Sequence, residues 1–158
     1  MSIEARIEQH GPIEFAGVAL HGDLKSEPAD NAWMLFGEVA DEASISRIGK
    51  DVYGIRIYHP RFPDQFEWTY MACIVKEPDM EVPIRMITKS LPECKYVVQK
   101  VAGGVMGIDD TLIHLYKDYI PNHGFLVALP IDFEKYCNVQ DHEECPNDIE
   151  IWVPIKDA

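Results

Sequence analysis

The chain has 158 residues, with 14 Lys and Arg against 27 Asp and Glu, a formal charge of −13. Hydrophobic residues make up 47% and charged residues 26%, the proportions of a folded chain of one domain or two small fused halves. That acid excess excludes an autonomous nucleic-acid binder and an anionic-membrane binder, both of which need a positive face.

Ile13 to His21 is a short apolar run and reads as a strand. Asp30 and Asn31 are good N-caps. Trp33, Phe36, Val39 and Ala40 then recur at spacings of three and four, which predicts an amphipathic helix to about Ile48, stopped by Gly49. Val52–Tyr58 and Trp68–Val75 are rich in β-formers and form a hairpin around HPRFPDQ. Lys76 to Glu93 carries three prolines and reads as a connector with only short local structure. Tyr96 to Val101 is a strand. Asp109 and Asp110 cap a helix carrying Leu112, Ile113, Tyr116, Tyr119 and Ile120, which Pro121 ends. A strand starts at Phe125, the acidic loop NVQDHEECPND follows, and Ile149 to Ile155 is the last strand.

Each half thus reads strand, helix, strand, strand. The fold class is α+β, with antiparallel sheets and two helices on one face. The halves are expected at about 1–80 and 93–158, within a single domain.

The last strand places Ile149, Ile151, Val153 and Ile155 on one face, which must be core. Glu150, Trp152 and Pro154 take the other. Two readings stand for Glu150. It is a solvated edge residue, or it faces a hollow beside an indole, where a cationic ligand would supply its partner. Trp33, Tyr58, Trp68, Tyr70 and Tyr116 also fall on predicted elements, and buried tyrosine hydroxyls need partners.

The start, MSIEARIEQHG, is polar, and no apolar run approaches the ~20 residues of a membrane helix. Cys73, Cys94, Cys137 and Cys145 form no Cys-x-x-Cys pair. His142 and Cys145 lack a second ligand pair, so no zinc site or other cofactor is expected. The thiols read as those of a reduced, cytoplasmic protein. Asp141, Glu143, Glu144 and Asp148 read as a solvated charge run.

Taken together, IEFAGVALHG, AWMLFGEV, VYGIRIY, WTYMACIV, LPECKYVVQKVAGG, HLYKDYIPNHGF, DFEKY and IEIWVPIK resemble the gyrase-inhibitor-like (GyrI-like) effector-binding domains, which also occur fused to AraC-type and MerR-type regulators. The resemblance covers nearly the whole chain. It implies two modules about a pseudo-twofold axis, with a cleft glutamate matched by Glu150 and aromatics matched by Trp33, Tyr70, Tyr119 and Trp152. Tyr119 stands where many members carry Trp, and Cys73 where many carry Gly. The chain is expected to stand alone, without a nucleic-acid-binding segment.

Three functions follow as expectations. The first is binding of small aromatic or cationic lipophilic compounds in the central cleft by Glu150, Trp152, Tyr70, Trp68, Trp33, Tyr58, Tyr116 and Tyr119. The second is hydrolysis of cyclopropane-bearing toxins, with Glu150 as general base and Tyr119 or Tyr70 donating to the oxyanion. The third is a protein-interaction module for gyrase or a separate regulator.

Overall fold

This computed structural model describes residues 5–23, 25–60, 62, 66–140 and 148–158. Arg61, Asp141, His142, Glu143, Glu144 and Cys145 lie outside them. In chain order the elements are β1 (Arg6–His10), β2 (Ile13–Gly22), α1 (Ala29–Glu42), β3 (Val52–Tyr58), β4 (Trp68–Val75), β5 (Ile87–Leu91) and β6 (Cys94–Lys100). A 3₁₀ turn (Gly104–Gly107) leads to α2 (Ile108–His114), a π-helical turn (Leu115–Tyr119) and α3 (Ile120–Asn122). The chain ends with β7 (Phe125–Val127), β8 (Ile131–Tyr136) and β9 (Ile149–Asp157).

Among the described residues the strands form one antiparallel sheet in the order β1-β6-β9-β8-β3-β4-β2-β5, with β7 on β9. On either side of the central β3–β8 pair the order reads β4-β2 and β9-β6, the two strand-helix-strand-strand modules. The sheet's ends meet. Arg6 pairs with Val98 and His10 with Cys94; the same register continues as Ile13 with Leu91 and Gly17 with Ile87. β1–β2 is therefore one long strand and β5–β6 another, each interrupted at a proline, Pro12 or Pro92. Their pairing closes the sheet into a barrel.

Closure explains two separate apolar clusters. Inside lie Phe15, Tyr53, Ile55, Met71, Tyr96, Phe133 and Trp152. The Phe15 and Phe133 rings are 5.9 Å apart, although their strands are three steps apart in the sheet. A flat sheet would separate them by roughly 14 Å. Gly17 fits here because a Cβ would strike the Cys73 Cβ at 2.5 Å. Outside, a second cluster with Val18, Ala72, Ile151 and Val153 packs beneath the helices.

Five elements differ from expectation. α1 starts at Ala29 behind Pro28, not at Asp30 or Asn31, and stops at Glu42 rather than near Ile48. Ser44, at φ 58°, turns the chain and lets the Ile45 N–H donate to Ala40 O at 2.9 Å. β1 and β5 are strands where the sequence suggested polar start and connector. β8 occupies the stretch between Phe125 and the acidic loop, where no separate strand was expected. Pro121 lies inside the last helical turn. In the second helical region the buried positions are Ile108, Thr111, Leu115 and Ile120. The last interval is five residues, which the wider π turn accommodates.

Candidate functional site

α1 packs on β2 and β4, and α2 approaches β9. Between them the outer faces of β3 and β8 form a strip over which no helix lies directly. Period-two alternation puts Gly54, Arg56 and Tyr58 on that strip from β3, and Asp132, Glu134 and Tyr136 from β8. Both carboxylates are buried, Asp132 at 0% and Glu134 at 3% exposure. Burying two like charges is costly unless each is paired and hydrogen-bonded.

The pairing is provided locally. Arg56 Nε donates to Asp132 Oδ1 at 2.7 Å, and its Nη1 to Glu134 Oε2 at 3.2 Å. Tyr58 and Tyr116 hydroxyls donate to Asp132 Oδ2 at 2.5 and 2.7 Å. The Tyr70 hydroxyl donates to Glu134 Oε1, and Trp33 Nε1 donates to the Tyr70 oxygen at 2.9 Å. Trp33 lies edge-on to Tyr136 at 5.4 Å and, like Tyr58 and Tyr116, is partly exposed. The π turn carries Tyr116 over the barrel to Asp132. Burial is the main cause that pushes the Tyr58, Tyr70, Tyr116 and Tyr136 hydroxyls well above their ordinary pKa, with the neighbouring carboxylates adding to it. They remain protonated donors.

Gly54 makes the Tyr70–Glu134 contact possible. β4 and β8 flank β3, and the two side chains meet across the Gly54 backbone. A Cβ there would sit 2.5 Å from Glu134 Oε1 and closer still to the Tyr70 oxygen.

Of the residues singled out from sequence, Trp33, Tyr58, Tyr70 and Tyr116 meet in this cluster. Trp68 shares the outer face of β4 with Tyr70 and packs against the outer core. Tyr119 stacks on His123 at 3.9 Å and packs against the outer core. Glu150 and Trp152 are not brought to these rings. They point to the barrel side of β9, where Trp152 stacks on Phe133 at 5.5 Å. Glu150 Oε2 accepts from Arg6 Nη2 at 2.8 Å, and its Oε1 from Trp152 Nε1 at 3.3 Å. The physical reason is alternation: the aliphatic Ile149–Ile155 face is the one beneath the helices, so its opposite cannot look into the strip between them. Asp132, Glu134, Arg56, Tyr136 and Gly54 were not singled out from sequence. The alternating I-D-F-E-K-Y run carried the signal.

Glu150→Gln should therefore cost little stability. Its partner Arg6 is 43% exposed in the side chain and regains water when the charge goes. We expect less than about 1 kcal/mol, a melting-temperature drop under about 4 °C. A much larger fall in thermal denaturation would show that this pair does more than tie β1 to β9.

A depression of about 820 Å³ lies elsewhere, at the end of β3 and β4 beside the α1 C-terminus, walled by Ile45, Asp51, Tyr53, Ile74 and Met80. It does not include Glu134. Among the described residues no group of three or more metal-ligating side chains occurs, and no helix is long and apolar enough to cross a membrane.

Residues 3–156 match the model of the GyrI-like small molecule binding domain. No curated protein matches the sequence. Among solved structures, SAV2435 bound to tetraphenylphosphonium superposes with a TM-score of 0.73 at 16% identity, covering 97% of this chain and 94% of that one. The EcmrR C-terminal domain gives 0.66 at 14% identity, with 100% of both chains covered. A hydrolase encoded by lin2189 from Listeria innocua gives 0.62 at 12% identity, covering 97% and 92%. At these identities the likeness shows the fold.

Proposed function

Since the chain belongs to the GyrI-like small-molecule-binding family, we propose that its ligands are lipophilic cations held over Glu134 in the strip between the two helical regions. The observation that carries this reading is charge arithmetic. Two buried carboxylates, Asp132 and Glu134, share one guanidinium, Arg56. Among the described residues one formal negative charge is left without a counter-ion, in a site walled by Trp33, Tyr58, Tyr70, Tyr116 and Tyr136. Aromatic faces and a carboxylate in low dielectric are what a large, weakly hydrated cation needs. The tetraphenylphosphonium held by the similarly folded SAV2435 is a ligand of this chemistry.

Glu134 is buried behind these rings, so the ligand enters as Trp33 rotates off Tyr70 and Tyr136. Trp33 thereby becomes an internal reporter. Titrating tetraphenylphosphonium should change tryptophan fluorescence saturably. Glu134→Gln keeps the shape and removes the charge. It should weaken binding by about 1.5–3 kcal/mol, on the order of 10–100-fold. Equal affinity of variant and wild type would remove Glu134 from the site.

A further inference from the structure

The Arg56 guanidinium is only two-thirds used. Nε and Nη1 are committed to Asp132 and Glu134, while Nη2 is buried and meets no acceptor among the described residues. Because the guanidinium is planar and rigid, two anchored nitrogens fix where the third lies. It cannot turn to find a partner without breaking one of the two ion pairs. The surrounding acceptors are engaged: Asp132 Oδ2 receives Tyr58 and Tyr116, and Glu134 Oε1 receives Tyr70. A charged donor left unsatisfied in a buried site is costly, and such groups in native proteins call for an explanation.

We propose that Arg56 Nη2 is a recognition element: the site selects monocations that carry a hydrogen-bond acceptor, such as an aromatic nitrogen, ether or carbonyl oxygen, beside the charged centre. Glu134 faces the charge, and Nη2 donates to the acceptor. This rests on the reading of Glu134 as the cation's counter-ion and adds a second requirement to it. Arg56 also limits the charge. With one of the two carboxylates already neutralised, a single positive charge completes the site and a second would be uncompensated.

The test uses isosteric probes, tetraphenylphosphonium and the ortho, meta and para pyridyl(triphenyl)phosphonium ions. They differ by one ring CH replaced by nitrogen and carry the same charge. At least one pyridyl isomer should bind the wild type about fivefold tighter or more, the scale of a charge-assisted hydrogen bond net of desolvation. In Arg56→Met all four cations gain from the lost guanidinium, and the ratio of each pyridyl ion to tetraphenylphosphonium should fall to about one. If the ratio is one in the wild type while Glu134→Gln still weakens every probe, the Arg56 assignment fails and the Glu134 reading stands. A preference that persists in Arg56→Met also overturns it. If no probe binds, or Glu134→Gln changes nothing, both readings fall. Should Arg56→Met not fold, nitrogen NMR of the wild-type guanidinium decides. The Nη2 protons should shift and exchange more slowly with the pyridyl ion than with the phenyl one; identical spectra would overturn the proposal.

Discussion

Gly54→Ala should lose about 3–5 kcal/mol of stability and abolish cation binding. The added methyl must occupy space now shared by the Tyr70 hydroxyl and Glu134 Oε1. Overpacking a tight site costs about 1–3 kcal/mol, and separating a buried carboxylate from its donor costs about as much again. Backbone conformation is not the issue, since Gly54 is not among the residues at positive φ. For a chain of this length the loss corresponds to a melting-temperature drop of about 10 °C or more. Calorimetry of the single and double variants separates clash from strand propensity. Tyr70→Phe removes the oxygen nearest the new methyl. Gly54→Ala should therefore be markedly less harmful in a Tyr70→Phe background than in the wild type. Additive losses would mean that the methyl does its damage elsewhere.

The second large effect is alkaline collapse. Six of the seven tyrosines, Tyr53, Tyr58, Tyr70, Tyr96, Tyr116 and Tyr136, have hydroxyls pushed up chiefly by burial, Tyr96 to about 12 and the others further. Below about pH 10 these groups are protonated in both folded and unfolded chains, and their contribution is fully present. Above it the unfolded chain releases protons that the folded one keeps, so stability falls as pH rises toward the folded values. Each group contributes a slope of about 1.4 kcal/mol per pH unit. Six together approach about 8 kcal/mol per unit, comparable with the whole stability of an ordinary domain. Tyrosinate absorbance from these residues should appear together with loss of far-ultraviolet circular dichroism, in one cooperative step near pH 11. Gradual ionisation at pH 10 with the fold intact would contradict the burial of this set.

The strands with strong local signals were legible. Val52–Tyr58 and Trp68–Val75 have the bounds read from β-propensity and turn residues. What escaped depends on partners far along the chain. RIEQH and ITKSL are short and polar, and they are strands because they pair with Cys94–Val98 and Ile13–Gly17. Nothing within five residues of either encodes that. From sequence the DFEKY segment reads as a motif and not as a strand, and so periodicity does not separate its two acids from its apolar positions.

Glu150 shows a different limit. The alternation along the last strand is as expected, with odd-numbered residues buried in the aliphatic outer core. A tryptophan on the even-numbered face suggested a ligand hollow. The interior of a small closed barrel is filled by side chains, and a large aromatic such as Trp152 is an interior filler. Periodicity sorts residues between two faces; which face the helices cover is settled only by closure of the ring.

The crossed edge strands carry a consequence for how the molecule breathes. β1 precedes the first module yet pairs with β6 of the second, and β5 pairs with β2 of the first. Each half thus lends an arm to the other, like hands gripping opposite wrists. The halves cannot swing apart at the β3–β8 seam without tearing that long ladder. On the proposed reading, guest entry is then a matter of rotating side chains in a stiff frame, with the size of guest set by the rings rather than by any hinge.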